Sequence, residues 1–385
     1  MATLKQLSPT PLLKGEAYTW MSASKALSER ELTLNLPQQF KQNDYSNLLS
    51  EFEVDSAIII CANEIKVIGE AEGIQVLQSL HTINSDSDLM VKWLADNLEE
   101  FAQLQIQGQD KKILIRFENG LSSESKDEAI LNFLNIHISA KSKVSLLLWD
   151  EEKAESSNSI LSNSHIKLHI AESANCEVVE YYNNSLATSH RAIESKQAKE
   201  STLHLYQFNL NSKFSRSRWK LHLEGQNAEL EMHSLNLLGS DNQAHGSLEI
   251  FHDHPDTHSA QWIFQVVNGT SLSSFDGTVE IGVGASKSTS EQLIRSLLLS
   301  RDARATSKPN LRIYNDDVEC AHGNTVGQLE EEQLFYLQSR GLTESAARKI
   351  LIQAFLGRTL EGISDETISK KLKSCFIPVL EEFSK

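Results

Sequence analysis

Cysteine is scarce in this 385-residue chain. It has four, Cys61, Cys176, Cys320 and Cys375, and they lie far apart. No two of them have the close spacing of a zinc site or a redox pair, and this excludes a disulfide framework. Such usage is typical of a reducing compartment, so we expect a cytoplasmic protein.

Long apolar segments are also absent. The longest apolar run covers residues 57–62, whereas a membrane-spanning helix needs about 20 apolar residues. The first residues, up to Pro11, lack the apolar core of a secretory signal. The sequence therefore predicts neither a membrane segment nor export.

Positive charge and enzymatic motifs are both in short supply. The chain has 36 basic and 52 acidic side chains, a formal net charge of −16, and such a chain repels nucleic acid. It has no phosphate-binding Gly-x-x-x-x-Gly-Lys loop, no His-Glu-x-x-His and no Gly-x-Ser-x-Gly. We therefore expect neither an ATPase nor an enzyme of those hydrolytic classes.

The first part of the chain, residues 1–108, has a mixed pattern. Residues 21–34 have helical character, and apolar positions at helical spacing predict a helix over 89–104. Residues 52–54 and 57–61 have the character of short strands. We expect a mixed helical region here.

Residues 109–326 form a series of short strand-like runs with polar linkers and without any long helical pattern. Residues 175–178 resemble residues 227–230, an offset that suits a solenoid of stacked coils. Hairpin-type Asn-Gly pairs such as Asn268-Gly269 are few, although a β-sandwich would want several. These patterns alone favour a β-helix and a β-sandwich equally. The predicted strands cover 112–117, 144–149, 165–170, 177–182, 202–210, 219–223, 228–238, 247–251, 261–267 and 277–281.

The last part, residues 327–385, returns to helical spacing. The predicted helices cover 329–340, ended by Gly341, then a segment that Thr343 caps, and a third that starts at Ser364. Pro378 either kinks the third helix or restricts it to its front half. A helical module this small must dock on the β unit, on a partner, or on both.

One histidine cluster invites a metal interpretation. His252, His254 and His258 form His-x-His-x-x-x-His, and the first two would share a strand face. Because Pro255 interrupts the strand and no cysteine accompanies them, a polar turn is the favoured interpretation. The isolated Cys61, Cys176 and Cys375 are interpreted as small buried side chains.

The stretch from 297 to 355 carries a specific signature. It reads LLLSRDA at 297–303, KPNLRIYNDDVECAHG at 308–323, TVGQL at 325–329 and QLFYLQSRG at 333–341. This stretch resembles the C-terminal signature of the SufB/SufD family, whose members build iron–sulfur clusters together with the ATPase SufC. Residues 275–279 and 219–230 resemble the family more loosely. The length of the chain and Gly323-Asn324, where SufB-like chains carry Glu-Ala, place the resemblance in the SufD branch.

The resemblance implies a mainly β fold, a right-handed parallel β-helix flanked by an N-terminal mixed helical region and a C-terminal helical domain. It thus decides between the two β architectures. The implied role is a non-catalytic scaffold with SufB and SufC as partners. A homodimer is the alternative assembly where SufB is absent.

Cys320 and His322 are the predicted metal ligands, because residues two apart on a strand share a face and both side chains suit iron. A cluster usually wants about four protein ligands. The resemblance implies that a transient iron–sulfur cluster is shared with the partner chain, with His322 the leading ligand and Cys320 the second. An inert buried thiol is the alternative for Cys320, since Val318 lies on the same face.

The resemblance also assigns SufC docking to the C-terminal helices. The predicted partner-binding set is Leu334, Phe335, Ile350 and Phe355, with intrachain packing as the alternative for each.

Two other functions stay open at this point. One is a β-solenoid carbohydrate-active enzyme, which would need clustered catalytic carboxylates, and the other is a SufB-like scaffold that pairs with itself.

Overall fold

The computed structural model describes residues 3–6, 33–36, 45, 47–61, 64–80, 88–98, 100–117, 127–151, 159–183 and 187–383. Short strands and two helices make up the described part of the N-terminal region. In chain order these are β1 (Thr3–Gln6), β2 (Thr33–Leu36), α1 (Leu48–Phe52), β3 (Ser56–Cys61), β4 (Glu64–Gly69), β5 (Ile74–Leu80), α2 (Leu89–Asn97) and β6 (Glu100–Ile106).

Two parallel sheets, each built from alternate strands, dominate the described molecule. The first sheet contains β8 (Asp127–Ile138), β10 (Ser159–Ile170), β12 (Ala187–Gln197), β14 (Phe214–Leu223), β16 (Gln243–His252), β18 (Leu272–Ile281) and β20 (Arg304–Ile313). The second contains β7 (Lys111–Phe117), β9 (Lys143–Glu151), β11 (Asn175–Asn183), β13 (Thr202–Leu210), β15 (Glu229–Leu238), β17 (His258–Val267), β19 (Thr289–Leu298) and β21 (Glu319–Gly327). The chain passes from one sheet to the other with every strand, so the described strands β8 to β21 form a parallel β-solenoid of seven coils.

The coils stack in register, and this defines the interior. In β18, for example, buried and half-buried residues alternate from Leu272 to Ile281, because successive side chains of a strand leave on opposite faces. The inward side chains of both sheets form one apolar core, with Leu203, Leu221 and Leu248 among its members. Position within a coil therefore decides whether a side chain meets the interior or the surface.

The strand predictions are largely confirmed. All ten predicted segments between 112 and 281 fall on observed strands to within one residue, and the parallel sheets decide for the β-helix over the sandwich. β3 also confirms the strand predicted at 57–61. The repeat at 175 and 227 is out of register, however, because Asn175 pairs with Thr202 and Thr202 with Glu229.

Two N-terminal predictions need correction, and one falls mostly outside the described residues. The helix predicted over 89–104 ends at Asn97, and the apolar residues beyond it belong to β6. The strand predicted at 52–54 is wrong, since Phe52 ends α1. Residues 21–32 of the third prediction, a helix over 21–34, lie outside the described ranges, and Thr33 and Leu34 belong to β2.

Three α-helices follow the last strand, α3 (Glu331–Ser339), α4 (Glu344–Gly357) and α5 (Glu366–Phe383), with a 3-10 turn at Arg358–Leu360. Thr343 caps α4 as expected, its side chain accepting from Ala346 N at 3.2 Å. α5 starts after Asp365, whose carboxylate accepts from Thr367 N and Ile368 N. The predicted start at Ser364 is therefore two residues early.

The helices form a second apolar cluster with the outer face of the second sheet. Ile352, Leu372 and Phe376 are buried there against residues such as Phe208 and Phe264. α5 continues past Pro378 to Phe383, so the alternative of a shortened helix is wrong. The helices thereby cover part of the outer face of the second sheet.

Candidate ligand site at the open end of the solenoid

The last coil has a neighbour on one side only. In the described part of the chain, β20 pairs with β18 and β21 pairs with β19, and neither has a second partner strand. Most side chains of β21 are exposed. Backbone donors and acceptors along such free edges can pair with a strand of another chain.

Cys320 and His322 lie on β21 with their side chains toward the interior side of this open end. The register places Cys320 beside Ser290 and His322 beside Gln292, and both of these β19 residues are buried and inward. His322 is exposed because no coil covers it, whereas Cys320 is half-buried and packs on the apolar core beside Val318. The fold brings the two predicted ligands together on one face.

Burial shifts the acid–base behaviour of the Cys320 thiol. Desolvation raises its pKa, and a hydrogen bond from the backbone of Ser290 acts in the opposite direction. The thiol therefore stays protonated at neutral pH. A metal ion would have to displace that proton, since the thiolate is the form that ligates metals.

The interior beneath Cys320 is polar, whereas the same position is apolar deeper in the solenoid. The in-register column that ends at Cys320 consists of Val144, Cys176, Leu203, Leu230, Ser259 and Ser290. Ser259 Oγ donates to Ser290 Oγ at 2.9 Å, and His252 Nε2 lies 2.8 Å from Ser259 Oγ. Hydroxyl groups thus appear only in the two coils next to the thiol.

The structure gives the histidine cluster a structural role. The buried His252 uses both ring nitrogens on hydroxyl groups, with Nδ1 lying 2.8 Å from Thr257 Oγ1. His254 and His258 are exposed on the neighbouring turn and strand start. Within the described residues, no three His, Cys, Asp or Glu side chains come together in a way that could hold a metal ion.

An acidic cleft along the second sheet leads to Cys320 but not to His322. Its volume is about 780 Å³, and its lining includes Glu229, Glu231, Glu291 and Glu319. Lysine and arginine are absent from its described lining. Such a cleft attracts cations toward the last coil.

The predicted partner-binding residues divide into two kinds. Phe335 is 72% exposed and Ile350 is 42% exposed, whereas Leu334 and Phe355 are half-buried. Phe355 packs edge-on against Phe264 of the solenoid, with ring centroids 5.4 Å apart. Tyr336, which sequence analysis did not single out, is 57% exposed beside Phe335. α3 contributes no buried residue.

Gln292 also escaped sequence analysis. It lies one coil beneath His322, but only the register of β19 with β21 reveals this. The sequence would have revealed this neighbour only if the number of residues per coil were known. That number cannot be read from the sequence, because the turns between strands vary in length. The site therefore includes a buried amide in addition to the two predicted ligands.

Comparison with known proteins identifies the family to which this chain belongs. Residues 121–355 match the family model described as the SufBD core domain of the SUF system for FeS cluster assembly. This match covers more than half of the chain, and the chain belongs to that family.

Individual relatives agree. A SufBD family iron–sulfur cluster assembly protein of Synechocystis is 31% identical over 54% of this chain and 46% of its own length. The iron–sulfur cluster assembly protein SufD of Escherichia coli is 26% identical over 55% of this chain and 50% of its own length. SufD of Bacillus subtilis is 38% identical over 28% of this chain and 25% of its own length. The chain thus spans half, or less, of the length of these relatives.

None of the helices in the described part of the chain combines the length and the apolar character needed to cross a bilayer.

Proposed function

We propose that this chain is a non-catalytic scaffold subunit of a cytoplasmic iron–sulfur assembly complex. The observation that carries the proposal is the half-built site, a thiol and an imidazole together on the open end of the solenoid. Two ligands cannot complete a cluster that wants about four. The missing ligands come from a second chain, and the nascent cluster is the cargo of the shared site.

The second chain is a SufB-type partner, seated on the last coil. The free edges of β20 and β21 offer it unpaired backbone groups. The exposed Ile313 and Tyr314, at and just after the end of β20, add apolar surface at the same end. Pairing there would cover Cys320 and His322 and place partner ligands beside them.

SufC docks on the C-terminal helices. α3 exposes Phe335 and Tyr336, and α4 exposes Ile350. Exposed aromatic and apolar side chains of this kind anchor protein interfaces. α4 and α5 are fixed to the solenoid by their buried residues, so movement of SufC would be transmitted to the β unit.

The test replaces His322 by alanine in the chain co-expressed with its partner chains. We expect the iron and acid-labile sulfide retained by the purified complex to fall about 10-fold or more, because one ligand is lost. His254→Ala, on an exposed turn away from the last coil, is the matched control. Unchanged iron and sulfide in the His322 variant would refute the site.

Self-pairing is the second candidate, and the same free edges favour it, because they can take another copy of this chain. Co-purification separates the two: a longer paralogue in the native complex supports the SufB pairing, and a dimer of this chain alone supports self-pairing. The family match leaves the polysaccharide-cleaving alternative without support.

A further inference from the structure

Gln292 has a buried side chain whose amide makes no hydrogen bond. It is 1% exposed, and within the described residues neither its Nε2 nor its Oε1 has a partner. A buried polar group without a partner is destabilising, and native proteins keep such groups rarely and for a reason. This amide therefore points to a partner outside the described residues.

The location of Gln292 indicates what that partner is. The residue is in register with His322, and Ser290, the neighbour of Cys320, lies two residues earlier on the same face. The amide thus forms the floor of the space that the two predicted ligands border.

Gly277 of the opposite sheet leaves room for this amide. A Cβ atom added at Gly277 would come within 2.6 Å of Gln292 Nε2. Any larger residue at this position would displace the amide from its place. Because Gly277 has no side chain, the amide of Gln292 can lie inside the solenoid, one coil below the open end.

A buried glutamine deeper in the solenoid shows the contrast. Gln207 of β13 is fully buried, and it donates to Tyr182 OH at 2.5 Å and accepts from Ser234 Oγ at 2.5 Å. Its polar atoms are satisfied by the chain itself. Among the described residues, Gln292 is the buried amide that lacks partners on both its nitrogen and its oxygen, and it lies next to the open end.

We propose that Gln292 is a positioning residue of the shared site, an inference that rests on the proposed function. Its N–H group donates to a sulfide or thiolate sulfur of the cargo that Cys320 and His322 border. Hydrogen bonds to sulfur stabilise its negative charge and tune iron–sulfur centres. The bound species is thus recognised from beneath by this chain while the partner closes the site from above.

The experiment compares Gln292→Met with Gln207→Met in the full chain, each co-expressed with its partner chains. For Gln292→Met we expect a higher denaturant midpoint of the isolated chain, because an unpartnered amide is removed at nearly constant volume. We expect the same variant to retain about 10-fold less iron and acid-labile sulfide in the complex. Gln207→Met should lower the denaturant midpoint and leave iron and sulfide per folded complex unchanged.

A gain in stability with a loss of cargo is a result that a purely structural role does not produce. The proposal is overturned if Gln292→Met retains wild-type iron and sulfide, or if it destabilises or unfolds the chain. His322→Ala is measured in parallel. If His322→Ala is without effect, the proposed function fails; if only Gln292→Met is without effect, this inference alone fails.

Discussion

Cys176 and Cys320 occupy the same column of the solenoid, Cys176 deep in the stack and Cys320 at its open end, and their surroundings differ. Cys176 is fully buried, with a paired strand on each side of β11 and Val178 beside it in the core. Cys320 is half-buried on β21, which has one neighbour strand and two serines beneath. The same residue type is thus an inert core side chain in one coil and a ligand candidate in another.

The difference shows that position at the end of the stack, and not the residue type, makes Cys320 a candidate ligand. Burial raises the pKa of both thiols, and for Cys176 nearby Glu177 adds to the effect. Only Cys320 can be reached without unfolding. A solenoid repeats its coils, and a side chain that is buried in an inner coil becomes accessible in a coil that has lost one neighbour.

Selective thiol modification should show the largest contrast between the two positions. In the folded chain we expect iodoacetamide to alkylate Cys320 at least about 10³-fold faster than Cys176, because modification of a buried thiol requires opening against the stability of the fold. Mass spectrometry of the peptides after timed reaction measures both rates. Equal rates in the folded chain would show that the core is open, and equal rates in denaturant are the control.

Side-chain truncation should sharpen the comparison between the middle and the end. Leu203→Ala, at a fully buried position in the shared column, should lower the free energy of unfolding by about 2–5 kcal/mol. Leu311→Ala, half-buried in β20, should lower it by about 1 kcal/mol, because part of its surface is already in water. Urea unfolding of both variants tests this, and similar losses would contradict the difference in packing.

Acid should act on the polar region beneath the end coils. Burial, with His258 nearby, lowers the pKa of His252 to about 4, whereas the unfolded imidazole titrates near about 6.5. The unfolded state therefore binds a proton first, and stability falls as the pH drops from about 6.5 to about 4, by up to about 3 kcal/mol.

The His252→Gln variant measures this contribution. Over that pH range we expect the free energy of unfolding of this variant to fall less steeply than that of the parent chain. Urea unfolding at each pH measures both. His254→Gln on the exposed turn is the control. A wild-type slope in the His252 variant would assign the acid sensitivity to other groups.

Sequence reasoning located most strands in which apolar residues alternate, and the strands that it missed include some whose inward side chains are polar. β12 is one such strand, with buried Ser189, Arg191, Ser195 and Gln197 on its inner side. Polar interiors weaken the alternation on which strand prediction depends. The same cause hid Gln292, whose single informative property is its position beneath His322.

The sequence by itself determined the broad class: scarce cysteines, a strand-rich middle, a helical end and a local motif around Cys320 and His322. These properties depend on composition and on residues that are close together in the sequence. The periodicity of apolar residues reports on such local relationships. The tertiary structure alone decided which coil is the last, which side chains share a column and which buried groups lack partners. The reason is physical: residues a full coil apart meet only through register, and turns of unequal length between the strands set that register.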